Sequence, residues 1–172
     1  MILTKEMKDK LEKIYQSLLK DPLVQRMKDI PMHRGSNCYV HSFKVAKLAM
    51  KHAVKHAKLD LESLLYAAIL HDYYLYDWRA DKTLLKGHGK RHPFLAAEKA
   101  EEDFGVSPFV KKIMSSHMWP LNFKTFPDSE EARILSYCDK VVATQEALIS
   151  KKHKIKHHEQ YMDYIDKLFD DE

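Results

Sequence analysis

The chain has 172 residues, 45% hydrophobic and 31% charged, which excludes a disordered polymer and suits one domain able to build its own core. Only four glycines and six prolines, against abundant Lys, Glu, Leu and Ala, exclude a turn-rich β architecture and favour helices. A net charge of +4, two cysteines, and no apolar run near the roughly 20 residues of a bilayer span argue against nucleic-acid, disulfide-framework and membrane classes.

Residues 4–20 carry Met7, Leu11, Ile14, Leu18 and Leu19 at helical spacing, predicting an amphipathic first helix. The charges in MILTKEMKDKLEK stand where a signal peptide needs an apolar stretch, so the expected location is the cytoplasm. Asp21-Pro22 reads as the N-cap and first residue of a short second helix. PMHRGSN (31–37) is a loop, and a long helix is predicted over 38–58 with Val45, Leu48, Ala49 and Ala53 on one face. Asp60 caps the next helix, whose segment LLYAAILHDYYLYDWR (64–79) starts as core and then sets His71 beside Asp72. KGHGKRHP (86–93) reads as a polar loop, with Pro93 opening a helix that Gly105 ends. Ser107-Pro108 opens another, ending near SSHMWP. Asp128 and Glu131 have capping-box spacing before a helix that reaches about Ile149. A basic run, KKHKIKHH (151–158), and a last helix over 159–169 follow. With no repeat and no composition break, the expectation is a single all-α domain over 1–172, its site-bearing core at about 34–146. Cys38 and Cys138 are expected to be small buried thiols. Trp78, Trp119, Phe123 and Phe126 are expected to close the core, with a pocket lining as the alternative.

Eleven histidines are many for this length, but position separates them. His52, His56, His153, His157 and His158 sit among lysines and are assigned to solvent; His33 lies in the early loop, its role open. His41, His71, His92 and His117 lie at helix boundaries or in line with apolar stripes. Asp139 falls four residues after Leu135 and three before Val142, so its carboxylate points inward, which is costly unless it is paired or binds metal. Pairing with Arg133 or Lys140 would satisfy Asp139 alone, and a cap would satisfy Asp72 alone. One metal centre satisfies all of these residues together: His41, His71, Asp72 and Asp139 around a first cation, with Asp72 reaching a second that carries His92 and His117. Imidazole and carboxylate without thiolate suit Mn, Fe, Co, Ni, Zn or Mg in an open, hydrated geometry.

The order His41, His71-Asp72, His92, His117, Asp139 resembles the HD superfamily of metal-dependent phosphohydrolases, with the two intermediate histidines of its two-metal branch. LHDYYLYDWR, GHGKRHP and SSHMWPL are similar to segments of small bacterial HD proteins. The resemblance implies an all-α helical domain and two divalent metal ions that activate water against a phosphate ester of a nucleotide or other small metabolite. Two departures matter. The Gly-Tyr-Pro signature of cyclic-dinucleotide phosphodiesterases is absent, and the Lys that many members carry three residues after the HD aspartate is Leu75 here. Phosphate contacts must then come from the loops, through Arg34, Lys90 and Arg91, with His88 or a loop arginine as the group that protonates the leaving oxygen. The same ligand string serves mixed-valent di-iron oxygenases in some relatives. A metabolite sensor that keeps only the fold is the non-catalytic alternative. RNA binding through 151–158 predicts steeply salt-dependent affinity.

Overall fold

The computed structural model describes residues 3–32, 36–56, 58–77, 86–148 and 163–169. Thr4 opens α1 (Lys5–Lys20) by accepting the Met7 amide at 3.2 Å, and α1 buries Leu11, Tyr15, Leu18 and Leu19. Asp21 Oδ1 accepts the Leu23 and Val24 amides and starts α2 (Pro22–Gln25), which tightens into a 3₁₀ turn over Arg26–Asp29. Asn37 caps α3 (Cys38–Ala53), and Asp60 caps α4 (Leu61–Leu70). The remaining helices are α5 (His88–Phe104), α6 (Pro108–Ser116) and α7 (Glu130–Leu148). Among the described residues there is no strand, only an isolated bridge between Pro31 and Asn37, so the fold is all-α as expected. No helix among these residues is long and apolar enough to cross a membrane.

α4 is the centre of the packing. Seven of its ten residues are buried, Leu61, Leu64, Leu65, Ala67, Ala68, Ile69 and Leu70, and it touches α1, α3, α5, α6 and α7, leaving only the Glu62, Ser63 and Tyr66 stripe partly exposed. A helix with so wide an apolar surface has to be enclosed. The C-terminal segment docks against α1: Ile165 and Leu168 are buried, Tyr15 donates to the Ile165 carbonyl at 2.7 Å, and Glu12 accepts the Leu168 amide at 3.1 Å. Gly105, at φ 61°, ends α5 in the left-handed region with open space around the missing Cβ. Gly105→Ala is therefore a backbone-strain change alone, expected to cost about 1 kcal/mol and lower Tm by a few degrees in a thermal melt.

Four sequence expectations are corrected. The predicted 38–58 helix stops at Ala53, because Lys55 and His56 are exposed, with no core to pack against, and the chain must turn before Asp60 can cap again. The helix capped by Asp60, by contrast, ends at Leu70 with His71 as its C-cap, against the His71-Asp72 pair to which it was expected to run, and Leu75 at φ 50° turns the chain away; Trp78 lies outside the described residues. The 86–93 loop is largely helix, since α5 starts at His88 behind Gly87 at φ 77°, and Pro93 sits inside it. As the sixth helical residue, Pro93 cannot make the amide bond to the Gly89 carbonyl one turn back. The capping box at Asp128 is replaced: Ser129 Oγ accepts the Ala132 amide, Glu131 reaches across to the Asp60 amide at 2.9 Å, and Asp128 pairs with Lys112. The helix expected over 159–169 shows one helical turn at residues 163–165. Residues 166–169 are described and not helical, while the basic run 151–158, Ile149 and residues 159–162 lie outside the described residues.

Candidate metal centre

Each histidine reaches the centre from a different end of the bundle. His41 lies in the first turn of α3, His71 is the C-cap of α4, His92 lies in the second turn of α5, and His117 is the C-cap of α6. Asp72 follows His71 directly and Asp139 comes from the middle of α7. All six are buried, none more than 8% exposed.

The backbone fixes three of the rings. Nδ1 of His71 donates to the Ala68 carbonyl at 2.8 Å, Nδ1 of His92 to the His88 carbonyl at 3.1 Å, and Nδ1 of His117 to the Met114 carbonyl at 2.7 Å. A ring donating through Nδ1 presents the bare lone pair of Nε2 when neutral, and these three Nε2 atoms turn to the same place. His92 and His117 Nε2 stand 2.9 Å apart, and 3.3 and 3.9 Å from Asp72 Oδ1. His71 Nε2 lies 3.5 Å from Asp72 Oδ2 and 3.6 Å from Asp139 Oδ1. His41 Nε2 lies 3.1 Å from the same Asp139 oxygen.

Burial and neighbouring charge separate the two halves. Burial pushes His117 down to about 3 and lowers His92, so both rings are neutral with lone pairs facing each other. Burial opposes charge on His41 as well, but its hydrogen bonds to Asp139 and Glu146 prevail and raise it to about 10. Burial likewise opposes the carboxylates, yet the surrounding histidines hold Asp72 below, and Asp139 well below, the usual range. His71 Nε2 and Asp72 Oδ1 are buried without a hydrogen-bond partner. Converging lone pairs and carboxylate oxygens, two of them orphaned in the interior, are the donor chemistry a divalent cation requires. Two three-residue groups, His41–His71–Asp139 and His71–Asp72–His117, each bring their ligand atoms within 4.8 Å of one another. His71 belongs to both, where the sequence argument gave the shared position to Asp72 alone.

Glu146 was not foreseen. It is 2% exposed and accepts from His41 Nδ1 at 2.9 Å, Lys44 Nζ at 2.8 Å and Ser36 Oγ at 3.0 Å. Its signal was its place seven residues after Asp139, on the inward stripe of α7. The partners proposed for Asp139 from sequence go elsewhere: Arg133 donates to the Asp128 carbonyl, and Lys140 to His117 and Ser136.

A cavity of about 650 Å³ opens over the cluster, and Asp72, His92, His117 and Asp139 lie on its surface. His88 lines it too, half-buried, stacked on His92 at 4.8 Å with Tyr76 Oη 3.0 Å from its Nδ1. Because α5 starts early, His88 and His92 are i, i+4 neighbours on one face rather than loop residues. Lys90 and Arg91 are exposed on the same turn, with Arg91 donating to the Lys86 carbonyl, and neither lines the cavity. Arg34 and His33 lie outside the described residues. His56 is exposed and pairs with Glu130, while His52 is half-buried against Tyr137. Cys38 and Cys138 are buried free thiols. Phe123 and Phe126, expected to close the core, are 73% and 57% exposed, because the segment before α7 carries them outward; Trp119 meets Phe126 edge-on at 5.5 Å.

No curated protein and no solved structure matches the chain. Comparison with known protein families matches residues 38–144, from the start of α3 to α7, to the HD domain. With that match covering most of the chain and both members of the His71-Asp72 pair inside its cluster, the protein belongs to the HD-domain family.

Proposed function

We propose that the protein hydrolyses a phosphate ester, of a nucleotide or another small phosphorylated metabolite, at a centre of two divalent cations. The observation that carries this reading is the convergence of histidine Nε2 atoms and two carboxylates on one end of a cavity, with His71 Nε2 and Asp72 Oδ1 buried without a hydrogen-bond partner. His41, His71, Asp72 and Asp139 are the ligands proposed for one cation and Asp72, His92 and His117 for the other. Divalent cations held there acidify water and polarise a phosphoryl oxygen, which is the chemistry of metal-assisted ester hydrolysis.

The chain's own residues do the rest. Glu146 holds His41 Nδ1 and so aims Nε2 at the centre. His88, on the cavity wall and braced by Tyr76, is placed to hold the proton that the leaving oxygen takes. Arg34, Lys90 and Arg91 are proposed as phosphate contacts, the arginines by bidentate pairing; Lys90 and Arg91 stand exposed on the first turn of α5.

Elemental analysis of untagged, chelator-free protein tests the centre. About two metals per chain are expected in wild type and about one in His92→Ala. One metal in both would remove His92 from the ligand set. None in either, even after reconstitution, would sink the catalytic reading and leave a sensor. Predominantly iron, with an oxygen-dependent activity, would transfer the site to the di-iron oxygenases.

A further inference from the structure

The cavity over the cluster has two chemically different parts. Its floor is the His/Asp cluster, and its walls are Met32, Tyr74, Met118, Pro120, Leu121 and Ala143, with the imidazole of His88, its Nδ1 3.0 Å from Tyr76 Oη, set among them. The one cation among its described lining residues is Lys140, whose ammonium donates to the His117 carbonyl at 2.8 Å, the Ser136 carbonyl at 3.0 Å and Ser136 Oγ at 2.8 Å. Those three bonds match the three N–H groups of an ammonium. Tyr74 offers the wall its ring, because its hydroxyl is 3.4 Å from Cys38 Sγ and 3.7 Å from Met32 Sδ. Leu121 packs onto the first turn of α5, where a Cβ at Gly89 would stand 2.9 Å from its Cδ2, so the wall is set directly against the helix backbone.

A second phosphate or the hydrogen-bonding edge of a base would meet few complementary groups on these walls, and each of its polar atoms buried there would be left unsatisfied. An aliphatic or aryl group loses nothing by the same burial, and two methionine side chains adapt readily to its shape. We infer that the non-reacting part of the substrate is an apolar group, aliphatic or aromatic, seated against Met118 and Leu121 with its anionic head on the His/Asp floor. The identity of that head as a phosphate rests on the hydrolytic reading above.

Calorimetric titration of the full chain in Mn²⁺ with hydrolytically inert n-alkylphosphonates, methyl to hexyl, tests the inference without turnover. Affinity is expected to rise about three- to fourfold per methylene, with a negative heat-capacity change, and adenosine monophosphate is expected to bind more weakly than hexylphosphonate. Leu121 is 50% exposed, so Leu121→Ser keeps the fold, and with Met118→Ser it should flatten the chain-length slope. Methylphosphonate binding with no slope, a slope that both variants leave intact, or adenosine monophosphate binding more tightly than hexylphosphonate would overturn the apolar class while the hydrolytic reading stands. No binding by any member would overturn the phosphate head and this inference together.

Discussion

Replacing Asp72 by alanine is expected to deplete the whole centre, where His92→Ala depletes half of it. Asp72 is the carboxylate that faces both groups of histidines: its Oδ2 is 3.5 Å from His71 Nε2, and its Oδ1 is 3.3 Å from His92 and 3.9 Å from His117. Without it, the His92–His117 side is left with two neutral imidazoles and no anion to balance a dication. The His41–His71 side keeps Asp139 but loses one of its two negative charges. Metal content should fall below about one per chain, and kcat/KM for a phosphomonoester by about 10³-fold or more, since metal-borne stabilisation of this kind amounts to several kcal/mol. Asp72→Asn, which keeps volume and one oxygen acceptor but not charge, should fall between the two. Elemental analysis beside steady-state kinetics, with far-ultraviolet circular dichroism to verify folding, reads the outcome. Equal metal content in Asp72→Ala and His92→Ala would show that Asp72 serves one side only.

Glu146→Ala is expected to be the most destabilising single change at the site. Its carboxylate is shared by Lys44, His41 and Ser36, and the Lys44–Glu146 pair has side-chain exposures of only 8% and 2%. Removing one member of a buried ion pair costs about 3–5 kcal/mol, because the other charge stays in the interior with less to balance it. At this chain length that is a Tm drop of about 10 °C, measured by thermal denaturation with chelator present. Metal affinity should fall about 10- to 100-fold as His41 loses its orienting partner, which competition against a chromophoric chelator would report.

The same residue predicts an acid limb. Burial opposes a charged Glu146, but the hydrogen bond and charge of His41, with those of Lys44, bring it down to about 2 from the ordinary 4.5. A depressed carboxyl contributes stability that is fully present above the unfolded-state value and is lost as pH falls through the folded one. The stability difference between wild type and Glu146→Gln should therefore be constant from pH 4.5 to about 6.5 and shrink from pH 4.5 toward pH 2; above pH 6.5 it shrinks again as His41, raised to about 10 in part by Glu146, loses its proton. A difference that stays constant from pH 4.5 toward pH 2 would mean the carboxylate is not ionised in the native protein.

The sequence by itself determined what is made within a few residues. Asp21, Asp60 and Ser107 each cap the helix they were placed to cap or open, and Gly105 ends α5, because a cap bonds amides only two or three residues away. The inward aim of Asp139 followed from its spacing to Leu135 and Val142 in the same way. The cluster's members were legible because ionisable side chains in apolar stripes are costly unless paired or metal-bound, and four histidines and two aspartates stood out on that ground. Only the tertiary structure decided how they meet. His92 and His117 are 25 residues apart and His41 and Glu146 are 105 apart, so their contacts depend on how α3, α5, α6 and α7 pack around α4. Packing also drew His88 and Pro93 into α5, sent Phe123 and Phe126 to the surface, and gave His71 a place in both ligand groups. Those outcomes belong to the balance of burial across the whole bundle, which no window of local sequence contains.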